Sequence, residues 1–299
     1  MKKIVLFGSN GQVGWELQRS LPLLGNVVAC DRSKLDLADI KAVSDYLRQE
    51  RPDVIVNAAA YNAVELAETC EEDAQAINFH LVKVLADYAA QNDAWLVHYS
   101  TDYVFNGSSE LPYSETDVPD PLNAYGRSKA LGEGAVVVSG CNHLLLRTSW
   151  VYSTRGHNFA KTILNLAATK SEFSVVNDQT GAPTSASLVA DTTVLCLYRV
   201  LKSTDAASLS GTYHLVSSGY ASWYEYARYL LSEASSLGIP LNCTEHDIRP
   251  VSGSEYPTKA VRPKSSRLNN SKIQNAFDIN IPDWKTCLKR TLSDMARQG

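Results

Sequence analysis

Short apolar runs alternate with longer amphipathic stretches through the first half of the chain. The short runs have the length and β-branched content of buried strands, and the longer stretches have helical spacing of apolar residues. Lys3–Phe7 reads as a strand that ends in a glycine-rich turn, and Gln12–Leu24 as the helix that follows. Asn26–Cys30 is a second strand, Asp39–Glu50 a helix stopped by Pro52, and Asp53–Asn57 a third strand. Glu71–Gln91 reads as one long helix, Trp95–Ser100 as a fourth strand, Asn123–Val138 as a helix and His143–Thr148 as a further strand. Strands alternating with helices build parallel βαβ units, so the expected fold class is α/β: a doubly wound parallel Rossmann sheet.

After Trp150 the pattern loosens. Asn158–Thr169, Ala186–Leu201 and Trp223–Leu237 read as helices, and Glu172–Asn177 and Tyr213–Val216 as strands. Ala186–Leu201 is apolar enough to pack on the main sheet, whereas 243–268 is rich in Pro, Ser and polar residues. The expected organisation is a dinucleotide-binding domain over 1–150 plus about 180–205, with a smaller interleaved C-terminal substrate domain over 151–179 and 206–299.

Gly8-Ser-Asn-Gly11-Gln-Val-Gly14 follows the first strand and opens a helix. Glycines there let backbone approach a pyrophosphate, and the helix start offers free N–H groups and positive potential. The spacing is G-x-x-G-x-x-G, because position 9 is Ser. A plain tight turn explains the glycines alone; the strand before and helix after point to a dinucleotide. Asp31 ends the second strand, where an acid can bond an adenosine ribose 2′-OH, and Arg32 beside it suits a 2′-phosphate. The two point to NADH and NADPH respectively and leave the choice open.

Tyr125-Gly-Arg-Ser-Lys129 places Tyr and Lys on one helical face. Thr101 lies at the C-terminal end of the fourth strand, where doubly wound sheets bind ligands. This trio suits carbonyl reduction: the tyrosine supplies a proton, a lysine cation makes its phenolate less costly, and the threonine orients the ketone oxygen. Tyr198 and Lys202 repeat the spacing, with Ser174 upstream, but Ser174 opens its strand and no glycine turn precedes that unit. Tyr198 is expected to be a helix packing residue.

Net charge narrows the field. Lys+Arg number 28 against 32 Asp+Glu, a formal charge of −4, which disfavours a nucleic-acid binder. No apolar run approaches a membrane span, and Ser9-Asn10 cuts short what begins like a signal peptide, so a cytoplasmic enzyme is expected. The six cysteines are widely and irregularly spaced and are expected to be free thiols. The six histidines show no metal-binding spacing.

The glycine turn, Asn57-Ala58-Ala59-Ala60, Ser100-Thr101-Asp102 and Tyr125-x-x-x-Lys129 together resemble the extended short-chain dehydrogenase/reductase family, which acts largely on nucleotide sugars. The resemblance runs nearly end to end, through His98-Tyr-Ser-Thr-Asp-Tyr-Val-Phe105, Arg147-Thr-Ser-Trp-Val-Tyr152, Asn177-Asp-Gln-Thr-Gly-Ala-Pro-Thr184 and Arg262-Pro-Lys-Ser-Ser-Arg-Leu-Asn269. The implied reaction is NAD(P)H-dependent reduction of the 4-keto group of dTDP-4-dehydro-L-rhamnose to dTDP-L-rhamnose, a precursor of cell-surface polysaccharide such as lipopolysaccharide O-antigen. Resembling dehydratases carry Thr-Asp-Glu; here Tyr103 follows Asp102, which disfavours water elimination.

By this resemblance Tyr125 is the proton donor, Lys129 holds the nicotinamide ribose, and Thr101 aligns the ketone. Gln12, Val13, Asp31, Ala60 and Tyr61 would line the cofactor, and Tyr103 and Trp150 the sugar. Asp102 is either a substrate contact or a hydrogen-bonded loop carboxylate, and Trp150 either a sugar platform or domain-interface core. Arg262 suits the substrate diphosphate by its planar fork, with a surface ion pair as the alternative. Resembling enzymes can bind Mg²⁺ at a subunit contact; Glu16 matches one position, but Ser187 stands where a second acid is expected. A homodimer is common in the wider family. The competing functions are a reductase or epimerase-reductase on another nucleotide keto sugar, or a non-catalytic NADP-binding regulatory protein. The latter would be favoured by loss of the Tyr–Lys pair, and both residues are present.

Overall fold

A computed structural model describes residues 1–256 and 258–297. The first half contains β1 (Lys2–Phe7), α1 (Gln12–Ser20), β2 (Gly25–Cys30), α2 (Ile40–Glu50), β3 (Val54–Asn57), α3 (Val64–Ala67), α4 (Glu71–Gln75), α5 (Leu81–Gln91), β4 (Trp95–Thr101), α6 (Ala124–Ser139) and β5 (His143–Thr148). The remainder contains β6 (Val151–Tyr152), α7 (Phe159–Thr169), β7 (Phe173–Val176), β8 (Thr180–Gly181), β9 (Thr184–Ser185), α8 (Ala186–Lys202), β10 (Gly211–His214), β11 (Ala221–Ser222), α9 (Trp223–Ser236), β12 (Ile248–Val251), α10 (Ser271–Phe277) and α11 (Trp284–Ala296).

The central sheet has six parallel strands in the order β2-β1-β3-β4-β5-β10, the doubly wound arrangement that the alternating pattern predicts. Its strands are buried on both faces and read as continuous apolar runs for that reason. One face packs Ile4, Leu6, Val54 and Val56 with Leu17 of α1, Leu197 of α8 and Phe277 of α10. The opposite face packs Val5, Phe7 and Ile55 with Leu47 of α2, Leu85 of α5 and Val136 of α6. A separate cluster around Tyr152, Ile163, Tyr226, Leu230, Ile248 and Leu288 gathers α7, α9 and α11 with the short strands.

Several elements differ from the sequence expectation. The first helix stops at Ser20 and tightens to a 3₁₀ turn over Leu21–Leu23, because Pro22 has no N–H to continue the ladder. The long helix from Glu71 is interrupted by a π-turn over Ala76–His80. The last sheet strand is Gly211–His214, two residues earlier than its apolar content suggests. Within the stretch rich in Pro, Ser and polar residues, β12 pairs in parallel with β7. Helices α10 and α11 close the chain; α11 buries only Trp284, Leu288, Thr291 and Leu292, a narrow stripe in a polar sequence. Tyr198 is half-exposed on α8 and not a packing residue: its position turns away from the sheet.

Candidate active site

A cleft of about 800 Å³ opens at the C-terminal ends of the sheet strands. The glycine turn forms one wall. Gly8 has φ +75°, a left-handed conformation that a side chain resists, and Gly11 N–H donates to its carbonyl at 3.0 Å. A Cβ on Gly14 would lie 2.1 Å from the Gly8 oxygen, so the third glycine lets the α1 backbone close against the turn. Gly8, Gly11, Gln12 and Val13 line the cleft, whereas Gly14 is buried behind it. The α1 N-cap, Gly11, carries no side-chain cap, which leaves that helix start open toward a ligand. These features fit a dinucleotide pyrophosphate. Gln12 is fixed by Ser153 and Asn158, whose side chains donate to its Oε1 at 3.0 and 2.9 Å.

Asp31 and Arg32, just past β2, both line the cleft beside the glycine turn. The Asp31 carboxylate accepts from Ser33 Oγ at 2.6 Å, Ser33 N at 2.9 Å and Asn10 Nδ2 at 3.0 Å. These bonds, Ser33 foremost, hold its pKa below the ordinary range. Ala60 and Tyr61 line the wall after β3. Tyr61 is clamped by Asn78, which accepts from its N–H at 3.0 Å and donates to its carbonyl at 2.9 Å.

Helix α6 and the end of β4 form the chemical centre. Asn123 caps α6 by accepting from Gly126 N at 2.8 Å. Tyr125 and Lys129, one turn apart, both face the cleft, as do Thr101 and Asp102. Burial pushes the Tyr125 phenol up to about 12, so Tyr125 stays protonated. Lys129 is buried and donates from Nζ to the Tyr99 carbonyl at 2.6 Å. Burial lowers its ammonium to about 8, opposed by Glu133 one turn on. Thr101 Oγ1 donates to Asp102 Oδ1 at 3.0 Å. Burial lifts the Asp102 carboxyl to about 6, against the hydrogen bond from Thr101, and its Oδ2 has no partner among the described residues. Below them His98 Nδ1 accepts from Asn57 at 3.2 Å. Burial and the Lys129 charge hold His98 neutral.

Tyr103 and Arg262 do not line the cleft. They form an adjoining cluster behind Tyr125, with the Tyr103 ring set edge-on to Tyr125 at 5.8 Å. Arg262 Nη2 is paired with Glu65 Oε1 at 2.9 Å. Trp150 does line the cleft, and it also stacks on Trp223 with ring centroids 3.4 Å apart. A Cβ on Gly181 would sit 2.5 Å from the Trp150 ring, so the glycine seats that indole. Glu16 is paired with Arg19 at 3.7 Å, and Ser187 Oγ lies 3.2 Å from Ser185 Oγ. Among the described residues no group of three or more acids, histidines or cysteines gathers to hold a metal.

Sequence reasoning missed the residues that hold the centre in place. Asn78 donates to Ser128 Oγ at 3.0 Å, and Glu68 accepts from Ala124 N at 2.7 Å. Glu133 takes Arg147 through two bonds of 2.9 and 2.7 Å in the interior. Asn123 alone carried a local signal, an N-cap residue type before a helix.

The sequence family described as the RmlD substrate binding domain matches residues 1–297. A dTDP-4-dehydrorhamnose reductase of Salmonella typhimurium is 48% identical over 98% of this chain and 97% of its own. The spore coat polysaccharide biosynthesis protein SpsK of Bacillus subtilis is 36% identical over 98% of each chain. Among solved structures, dTDP-4-dehydrorhamnose reductase from Bacillus anthracis in complex with NADP superposes with a TM-score of 0.88 at 32% identity, covering 98% of this chain and 99% of that one. The UDP-glucose 4-epimerase of Thermus thermophilus, with NAD, shares the fold at a TM-score of 0.79 and 19% identity, over 99% of each chain.

Proposed function

This chain belongs to the dTDP-4-dehydrorhamnose reductase family, and from that premise we propose how its cleft reduces the 4-keto group of dTDP-4-dehydro-L-rhamnose to dTDP-L-rhamnose. The observation that carries the reading is the meeting of Tyr125 and Lys129, from one face of α6, with Thr101 in a cleft walled by the glycine turn. The nicotinamide cofactor, when bound, supplies the hydride to C4. Tyr125 gives its proton to the oxygen of the developing alkoxide, so hydride and proton together complete the alcohol. Its high pKa keeps that proton in place until the alkoxide forms. Lys129 remains a cation below about pH 8, offsets the phenolate left behind and holds the nicotinamide ribose. The Thr101 hydroxyl orients the ketone oxygen.

Both NADPH and NADH fit the adenosine end. Asp31 keeps lone pairs for a ribose 2′-OH, and Arg32 beside it offers a cation to a 2′-phosphate. Trp150 belongs to the sugar side and Asp102 contacts the substrate beside Thr101; Tyr103 and Arg262 meet it from the adjoining cluster outside the cleft, Arg262 at the diphosphate. The sheet with 1–150 and about 180–205 is the dinucleotide unit, and 151–179 with 206–299 is the substrate unit. The product feeds cell-surface polysaccharide, lipopolysaccharide O-antigen included, a reading supported by the spore coat relative. We place the enzyme in the cytoplasm; no helix among the described residues is long and apolar enough to cross a membrane. A homodimer is supported by the exposed Trp15, Leu195 and Tyr198 on α1 and α8.

The test is loss of 340 nm absorbance with NADPH and with NADH on dTDP-4-dehydro-L-rhamnose generated in situ. Turnover with both cofactors and a product identified as dTDP-L-rhamnose is expected. Tight NADPH binding with no turnover of this sugar would send the assignment to another keto sugar.

A further inference from the structure

The segment Thr258–Pro263 crosses from α3 to the start of α6 as a strap, and one side chain, Glu65 of α3, holds most of it. Glu65 Oε2 accepts from Lys259 N at 2.8 Å and Ala260 N at 3.2 Å, and Oε1 accepts from Arg262 Nη2 at 2.9 Å. Burial raises the Glu65 carboxyl, but the Arg262 bond and these two N–H groups outweigh it and keep the group ionised. The strap is seated at two further points. Val261 carbonyl accepts from Asn123 Nδ2 at 2.8 Å, and the same Asn123 caps α6. Pro263 rests on Gly107, where a Cβ would approach to 2.5 Å. The clamp therefore reaches the helix that presents Tyr125.

Arg262 has one buried donor that makes no bond. Its Nε is buried and has no hydrogen-bond partner among the described residues. A buried guanidinium N–H without a partner is costly, and a ligand oxygen is the means of satisfying it. A guanidinium anchored at Nη2 keeps further N–H donors in its plane, and a planar fork suits phosphate oxygens.

We infer that Glu65 is a positioning residue for substrate binding: by clamping the 259–262 strap it orients Arg262 toward the diphosphate of the nucleotide sugar. The inference rests on Arg262 taking that diphosphate. Glu65 touches neither sugar nor cofactor and acts through Arg262 alone.

The experiment measures dTDP and thymidine binding by calorimetry, together with steady-state kinetics, for wild type, Glu65→Gln, Glu65→Asp, Arg262→Ala and the Glu65→Gln/Arg262→Ala double variant. Glu65→Gln is expected to weaken dTDP and raise the sugar KM by about tenfold, the scale of one charge-assisted hydrogen bond. Thymidine affinity, the NADPH KM and kcat are expected to stay within about twofold, the double variant to bind dTDP no worse than Arg262→Ala, and Glu65→Asp to recover most of the loss. Unchanged dTDP affinity in Arg262→Ala overturns the diphosphate reading itself. Weak dTDP binding in Arg262→Ala with unchanged or tighter binding in Glu65→Gln overturns the role of Glu65 alone. Parallel losses for thymidine and NADPH in Glu65→Gln also overturn it, because they mark a general scaffold.

Discussion

Asp102 shows how a buried residue at this site trades stability for position. Burial raises its carboxyl to about 6, against an ordinary value near ~3.9. Between these values the folded chain binds more protons than the unfolded one, so the contribution of Asp102 to stability falls as pH rises through the window. Above about pH 6 the penalty is fully present. Asp102→Asn keeps an acceptor for Thr101 and removes the titration. It is expected to stabilise the fold at pH 7.5 by roughly 2 kcal/mol, with the gain shrinking as pH is lowered toward 5. Thermal unfolding of both proteins across that range measures it. A variant less stable than wild type at pH 7.5 would mean that Asp102 is held as a paired carboxylate.

At the level of elements, the catalytic helix is placed by the π-turn opposite it. The Asn78 carbonyl presses on α6 where Gly132 leaves room, and an added Cβ would meet that oxygen at 2.1 Å. Backbone there cannot yield as a flexible side chain would, so Gly132→Ala must displace α6 or the turn. A misplacement of about 1 Å at reacting groups costs on the order of 10²-fold in rate. Gly132→Ala is therefore expected to lower kcat by about 10- to 100-fold with its circular dichroism unchanged. A wild-type kcat would show that the turn does not set the Tyr125 position. None of this was legible in the sequence. A π-turn leaves the apolar period of 71–91 nearly continuous, and Asn78 contacts Ser128 across 50 positions of chain. The sheet was legible because strands buried on both faces announce themselves as apolar runs. The glycine turn was legible because its chemistry is local, as is the Tyr125–Lys129 spacing. The C-terminal elements were not: β12 has only four residues and carries Pro250, and α11 buries a stripe too narrow to stand out.

Across the whole molecule, the cleft lies where the sheet and the C-terminal cluster meet. Trp150 at the end of β5 stacks on Trp223 of α9, and Gln12 of the glycine turn is bound by Ser153 and Asn158. The glycine turn and the C-terminal cluster are thus tied by side chains from both parts. In the proposed reaction this joint serves proton delivery by Tyr125 during hydride transfer. The most direct measurement pairs NADPH affinity with turnover of dTDP-4-dehydro-L-rhamnose in wild type and Tyr125→Phe. Loss of one hydroxyl leaves the glycine turn, Asp31 and Lys129 in place, so NADPH affinity is expected within about threefold of wild type and kcat lower by about 10²- to 10⁴-fold. A phenylalanine variant that keeps kcat within a few-fold of wild type would contradict it, and the proton would have to come from another group.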